Sequence, residues 1–259
     1  MFLVMRKIKL LIEYDGTSYQ GWQIQKKGET IQGIIENRVL MITGESSRVI
    51  GASRTDAGVH ALGQIAVFRT RSELKPEIIK KALNAVLPHD IRILDASIVE
   101  DSFHPRKNAV KKSYFFIISN QRESSAFLYK YVWMVQQSLD LKKMEIAAQE
   151  IVGKHDFSSF MGTGSSIKNP IREIFSLGIY KLEKIDFLTM SFRGNFMKIR
   201  IEADGFLRHM VRNIVGTIVE IGKGRISEKS MKEILAMGNR KFAGPTAPPN
   251  GLFLEKIIY

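Results

Sequence analysis

The sequence predicts an α+β fold built as two related halves. Three observations carry that prediction. Stretches with strand-like and helix-like apolar spacing alternate along the chain, and the alternation occurs on both sides of a polar stretch between Gln121 and Asp140. The chain has 259 residues, 44% of them hydrophobic, which is ample for a buried core in one large domain or two modest ones. A boundary in the polar stretch gives residues 1–125 and 126–259 as the two halves.

In the first half, Ile8 to Tyr14 reads as a strand. Thr30 caps a helix whose apolar positions Ile31, Ile34, Ile35, Val39 and Ile42 run towards Gly44. Strands follow near Val49 and over Ile65 to Phe68. Ser72 is the expected cap of a second helix, with Leu74, Ile78, Ala82 and Val86 at four-residue spacing and Pro88 as its stop. Tyr114 to Ser119 is a further strand.

The second half repeats the scheme. Asp140 caps a helix that carries Leu141, Met144, Ala148 and Ile151 and ends at Gly153. Strands are expected around Glu173–Tyr180, Leu188–Arg193 and Met197–Ala203. A helix from Phe206 to Ile221 is apolar at Phe206, Met210, Ile214 and Ile218, and Ser227 opens a short last helix with Met231, Ile234 and Leu235. The two halves share no repeat at the residue level.

Lys and Arg number 39 against 26 Asp and Glu, a formal net charge of +13, which points to a polyanionic partner, with nucleic acid the leading candidate and a lysine-rich surface the plainer reading. Cysteine is absent, which excludes disulfides, a thiolate nucleophile and Cys-ligated zinc and fits a reducing compartment. The five histidines, His60, His89, His104, His155 and His209, show no metal-ligand pairing, and no metal is expected. The apolar start Met1–Met5 is short, and its basic residues follow it where a signal peptide would place them first. With no run near the roughly 20 apolar residues that span a bilayer, a cytoplasmic chain without membrane contact is expected.

The run Gly51-Ala52-Ser53-Arg54-Thr55-Asp56-Ala57-Gly58-Val59-His60-Ala61 crowds a carboxylate, an arginine and flexible glycine into one turn after the strand-like Arg48-Val49-Ile50. Gly58 can take the positive φ that a β-carbon resists, so Asp56 sits on a sharp bend. Asp56 either bonds its own backbone in an Asx-turn or serves as a reaction centre. Arg212 lies two positions from Met210, roughly 200° around a helix, away from the apolar stripe, on the side of Arg208. That is either an ordinary solvent-facing arginine or one aimed at a site. Tyr114 heads an aromatic strand, where it is either a buried core tyrosine or a ring that stacks on an extruded base. The run Gly162-Thr163-Gly164-Ser165-Ser166 lacks the lysine spacing of a P-loop and reads as a flexible RNA-facing loop.

Arg54-Thr55-Asp56-Ala57-Gly58-Val59-His60 resembles the catalytic loop of the TruA family of tRNA pseudouridine synthases, in which the aspartate is the nucleophile. Tyr14-Asp15-Gly16-Thr17 with Gly21-Trp22-Gln23, Ala82-Leu83-Asn84 with Leu87-Pro88, Phe103-His104 with Arg106, and Gly153-Lys154-His155-Asp156-Phe157 are similar to that family's landmarks, in its order. So are Gly205-Phe206-Leu207 with His209 to Gly216, and Ala243-Gly244-Pro245-Thr246-Ala247-Pro248-Pro249 with Gly251-Leu252.

The resemblance implies an isomerase that converts uridines at positions 38, 39 and 40 of the tRNA anticodon arm, with no cofactor. It implies a mixed sheet flanked by helices, made of two ferredoxin-like, RRM-like halves, and a homodimer in which one tRNA contacts both subunits. Asp56 is the implied nucleophile, Arg212 its salt-bridge partner and Tyr114 the active-site tyrosine; Phe116 stands where a second tyrosine is often found. Arg54, a planar cation with several donors, suits the space left by a flipped nucleotide and a phosphate beside it. Phe103-His104-Pro105-Arg106-Lys107 and Ser166-Ile167-Lys168-Asn169-Pro170 with Arg172 resemble the family's tRNA-contacting loops, and Pro105 and Ile167 depart from the small or polar residues expected there. A non-catalytic RNA-binding module also explains the charge, though it leaves Asp56, Tyr114 and Arg212 without a common purpose. A carboxylate-dependent hydrolase lacks an evident second carboxylate.

Overall fold

The structure is a computed structural model that describes residues 4–123, 125–164, 167, 169–228 and 230–259. The chain divides into two compact units, Met1–Val110 with Phe253–Tyr259, and Lys111–Leu252. Each unit pairs a mixed sheet with helices.

The first unit runs β1 (Arg6–Tyr14), α1 (Ile31–Thr43), β2 (Ile50–Gly51), β3 (His60–Thr70), α2 (Pro76–Val86) and β4 (Ile91–Val99). Its sheet order is β4-β1-β3-β2 with every one of these pairs antiparallel, which is the ferredoxin-like β-α-β-β-α-β arrangement. The core follows the strand period of two. Ile8, Leu10 and Ile12 of β1 are fully buried, as are Ile31, Ile35 and Val39 of α1 and Ile79 and Leu83 of α2. Each such side chain contributes roughly 1.5–3 kcal/mol by leaving water.

The second unit runs β5 (Lys111–Ser119), β6 (Trp133–Met134), α3 (Leu141–Gln149), β7 (Gly153–Asp156), β8 (Ile171–Phe187), β9 (Met190–Ala203), α4 (Met210–Gly222) and α5 (Ser230–Met237). Its sheet order is β5-β9-β8-β7, antiparallel throughout, and β6 pairs parallel with β5. The order β5-β9-β8 repeats β1-β3-β2 of the first unit, so the two units share topology without sharing sequence. A last strand, β10 (Leu252–Ile258), lies parallel to the start of β3 through Phe253 opposite His60 and Leu254 opposite Ala61.

Local chemistry explains where elements begin and stop. The Thr30 hydroxyl accepts from the Gly33 N–H, and Gly44 closes α1 in the left-handed region at φ 72°. Asp140 caps α3 by accepting from the Lys143 N–H. Ser72 does not cap α2: that helix starts at Pro76 behind Lys75, because proline at the first position brings a helical φ and no N–H to satisfy. In place of the three strands expected between Glu173 and Ala203 there are two long ones, joined where the exposed Leu188 takes φ 55°. Helix α4 starts at Met210 and not at Phe206, because His209 adopts φ 59° and cannot continue a right-handed turn.

Candidate active site

The turn that carries Asp56 connects β2 to β3 and is held at almost every residue. Ser53 exchanges two hydrogen bonds with the fully buried Gln64 side chain of β3, its N–H donating at 3.2 Å and its carbonyl accepting at 2.7 Å. The Thr55 carbonyl accepts from the Trp22 N–H at 3.0 Å, and the Thr55 and Tyr14 hydroxyls pair at 2.8 Å. Burial pushes the Tyr14 hydroxyl up, so it stays a neutral bridge. Gly58, at φ 75°, donates to the Tyr19 carbonyl at 3.3 Å, and Val59 closes the turn by donating to the Asp56 carbonyl at 3.2 Å. Asp56 itself is half-buried.

Glycine is required beneath this turn. A β-carbon at Gly16 would lie 2.0 Å from the Val59 carbonyl oxygen, and one at Gly51 2.4 Å from the Trp22 ring. His60, the last residue of the motif, is buried, accepts from the Gly16 N–H at 3.1 Å and stacks on Phe253 at 4.6 Å. The Asp15-Gly16 and Gly21-Trp22 pairs thus form the floor on which the 53–59 turn rests. Tyr14 and Gln64, which the sequence reading did not assign to the site, are its main side-chain supports.

Arg54 is exposed on the same turn. Arg106 reaches it from the segment after β4: its Nε donates to the Gly51 carbonyl at 2.9 Å. Burial, then the nearby charges of Arg54 and Arg48, lower the Arg106 guanidinium from its ordinary value, which marks a cluster of like charge. Among the described residues none of these three arginines makes an ion pair. The loop before Arg106 is braced. His104 Nδ1 accepts from the N–H groups of Arg106 and Lys107 at 3.1 and 3.3 Å, the buried Pro105 accepts from the Tyr259 hydroxyl at 3.0 Å, and Phe103 packs on the Tyr259 ring at 4.9 Å. Arg106 and Lys107 themselves are exposed.

The remaining predicted residues lie in the second unit. Tyr114 is buried at 4% exposure on β5 and meets Phe206 edge-on at 5.1 Å. Arg212 sits in the first turn of α4. Every residue of α4 is buried except Arg212, which is itself half-buried and donates from Nε to the Ala247 carbonyl at 2.7 Å. Arg208, expected one turn before Arg212 within the helix, lies ahead of it, and its Nη1 donates to the Thr163 carbonyl at 3.2 Å. In the second expected tRNA loop, Ile167 is exposed, Asn169 Oδ1 accepts from the Ile171 N–H at 3.0 Å, Pro170 accepts from the Phe157 N–H at 3.2 Å, and Arg172 donates to the Asn169 carbonyl at 3.0 Å. Ser166 and Lys168 lie outside the described residues, as does Ser165.

A turn that holds one aspartate beside a cluster of arginines, on a ferredoxin-like sheet, suits a class of protein that acts on a polyanion. The family model described as tRNA pseudouridine synthase matches residues 10–106 and 147–259. A tRNA pseudouridine synthase A from Thermodesulfovibrio yellowstonii is 48% identical over 98% of this chain and 100% of its own length. The protein of the same name from a Thermoanaerobacter species is 44% identical over the same shares, and tRNA pseudouridine synthase A 2 of Clostridium perfringens is 42% identical. The chain belongs to the tRNA pseudouridine synthase A family, a family of isomerases that turn uridine in tRNA into pseudouridine.

Proposed function

We propose that this enzyme isomerises uridines 38, 39 and 40 of the tRNA anticodon arm, with Asp56 as the nucleophile and no cofactor. The reaction breaks the N1–C1′ bond of a uridine, turns the base and rejoins it through C5. Attack on the sugar, attack on the base and abstraction of a sugar proton each begin from an ionised carboxylate. Arg212 supplies the opposite charge for Asp56, and Tyr114 stacks on the flipped base. Arg54 fills the space the base leaves and holds phosphate with Arg106 and Lys107. Flipping costs a few kcal/mol, which stacking at roughly 1–3 kcal/mol per base and phosphate contacts offset. The half that carries the 53–59 turn presents the nucleophile, and the other half supplies Tyr114, Arg212 and the surface of a cytoplasmic homodimer.

The observation that carries this reading is the turn itself. Hydrogen bonds to Gln64, Trp22 and Tyr14 and the glycines beneath hold Asp56 in place far beyond what an Asx-turn needs. The test is to incubate the purified protein, without metal or cofactor, with unmodified tRNA carrying uridines at 38 to 40 and to map pseudouridine by base-resolved chemical labelling. Signal there that vanishes in Asp56→Ala is the expected result. Signal only at other uridines would replace the substrate assignment, and none on several folded tRNAs would return the reading to a non-catalytic RNA-binding module.

A further inference from the structure

Residues 240–247 are bound to the first half of α4 by a chain of side-chain bonds that ends at Arg212. The Ala247 N–H donates to the Arg212 carbonyl at 3.0 Å, and Arg212 Nε donates back to the Ala247 carbonyl at 2.7 Å. One residue on, the fully buried Asn213 accepts at its Oδ1 from the Thr246 hydroxyl at 2.7 Å and from Arg240 Nη2 at 3.1 Å. Arg240 also donates to the Thr246 hydroxyl and, through Nη1, to the Ala243 carbonyl, both at 3.1 Å. A turn further along, Gly244 donates to the Thr217 hydroxyl at 2.9 Å.

The approach is as close as backbone allows. A β-carbon at Gly216 would stand 1.7 Å from the Pro245 carbonyl oxygen, and one at Gly244 2.8 Å from the Thr217 Cα. Glycine at both positions lets the segment lie directly on the helix. Packing alone does not need a half-buried guanidinium at Arg240 that gives three bonds at once, and burial lowers that group from its ordinary value.

We propose that Arg240 is a positioning residue for the isomerisation. Its planar fork ties Ala243, Thr246 and Asn213 together, so that the Ala247 carbonyl sits where it fixes the Arg212 guanidinium through Nε. The inference rests on the reading of Arg212 as the partner of Asp56. Lysine at 240 keeps the charge but cannot reach three acceptors in one plane.

The test is a double-mutant cycle on the full-length enzyme with unmodified tRNA, with thermal unfolding recorded for each variant. Arg240→Ala and Arg240→Lys should each lower kcat about tenfold or more while KM stays within about twofold. In an Arg212→Lys background, which has no Nε–H fork to orient, Arg240→Ala should cost no more than about a further twofold. Unchanged kcat in the folded Arg240 variants, or losses that multiply in the double variant, would overturn the proposal. If Arg212→Lys alone keeps wild-type turnover, the role of Arg212 has failed, which is a distinct result from failure at Arg240. Should Arg240→Ala not fold, Thr246→Val removes one link of the same chain and must show the same kcat loss and the same cycle.

Discussion

Gly21 lies against Asp56 so closely that a β-carbon on Gly21 would stand 2.8 Å from the Asp56 carbonyl carbon and 2.5 Å from the Thr55 carbonyl oxygen. Gly21 also holds φ 84°, a conformation that other residues adopt only under strain. Gly21→Ala therefore has to push the turn away or strain its own backbone. We expect a stability loss of roughly 1–3 kcal/mol in urea unfolding. Turnover should fall about a hundredfold, since a displacement of about 1 Å is enough for that. Wild-type kcat in this variant would show that the floor does not set the position of Asp56.

Arg106 and Arg54 lie in a cluster of like charge that makes no ion pair among the described residues, so tRNA binding should weaken steeply as salt rises. Each phosphate neutralised adds roughly 0.7–0.9 to the slope of log affinity against log salt. Arg106→Ala should lower affinity and reduce that slope by about one, while Arg54→Ala should lower turnover as well. Filter binding across a salt series reads both. A flat salt dependence for the wild type would rule out backbone binding by this cluster.

Glu202 on β9 gives a pH dependence to the fold. Burial, the largest influence, works to raise its carboxyl, but hydrogen bonds from Ser113 at 2.8 Å and Ser176 at 3.2 Å and the Arg200 charge outweigh it and bring it to about 2. A carboxyl that gives up its proton more readily when folded stabilises the fold above its unfolded value of 4.5, and that stabilisation is lost as pH falls from there towards 2. The contribution is on the order of 3 kcal/mol. The difference in unfolding free energy between wild type and Glu202→Gln should be widest above about pH 5.5 and shrink below about pH 4.5. A gap that does not change with pH would contradict the assignment.

Local signals in the sequence were reliable where the governing chemistry is itself local. Thr30 and Gly44 bound α1 because an N-cap hydroxyl and a left-handed glycine act within a few residues, and Gly58 takes the positive φ its place in the motif demands. The signal failed where a nearby competitor decides: Pro76 displaces Ser72 as the start of α2, and His209 delays α4 by leaving the right-handed region. Strands β4, β6, β7 and β10 have no counterpart among the strands the sequence predicts. The site was legible as a motif, but its supports were not. Tyr14 meets Thr55 across 41 residues and Arg212 meets Ala247 across 35, separations at which spacing carries no information. The stripe argument singles out Arg212, the one residue of α4 that is not buried, but not the Ala247 carbonyl to which it donates.

The most direct test of Asp56 as nucleophile is Asp56→Asn, assayed for pseudouridine formation and for tRNA affinity on the same preparation. The amide is nearly isosteric with the carboxylate, so the turn and its contacts should survive, with Kd within about threefold of wild type, while it is a poor nucleophile. The account predicts no pseudouridine with binding intact. Turnover near the wild-type rate would contradict it.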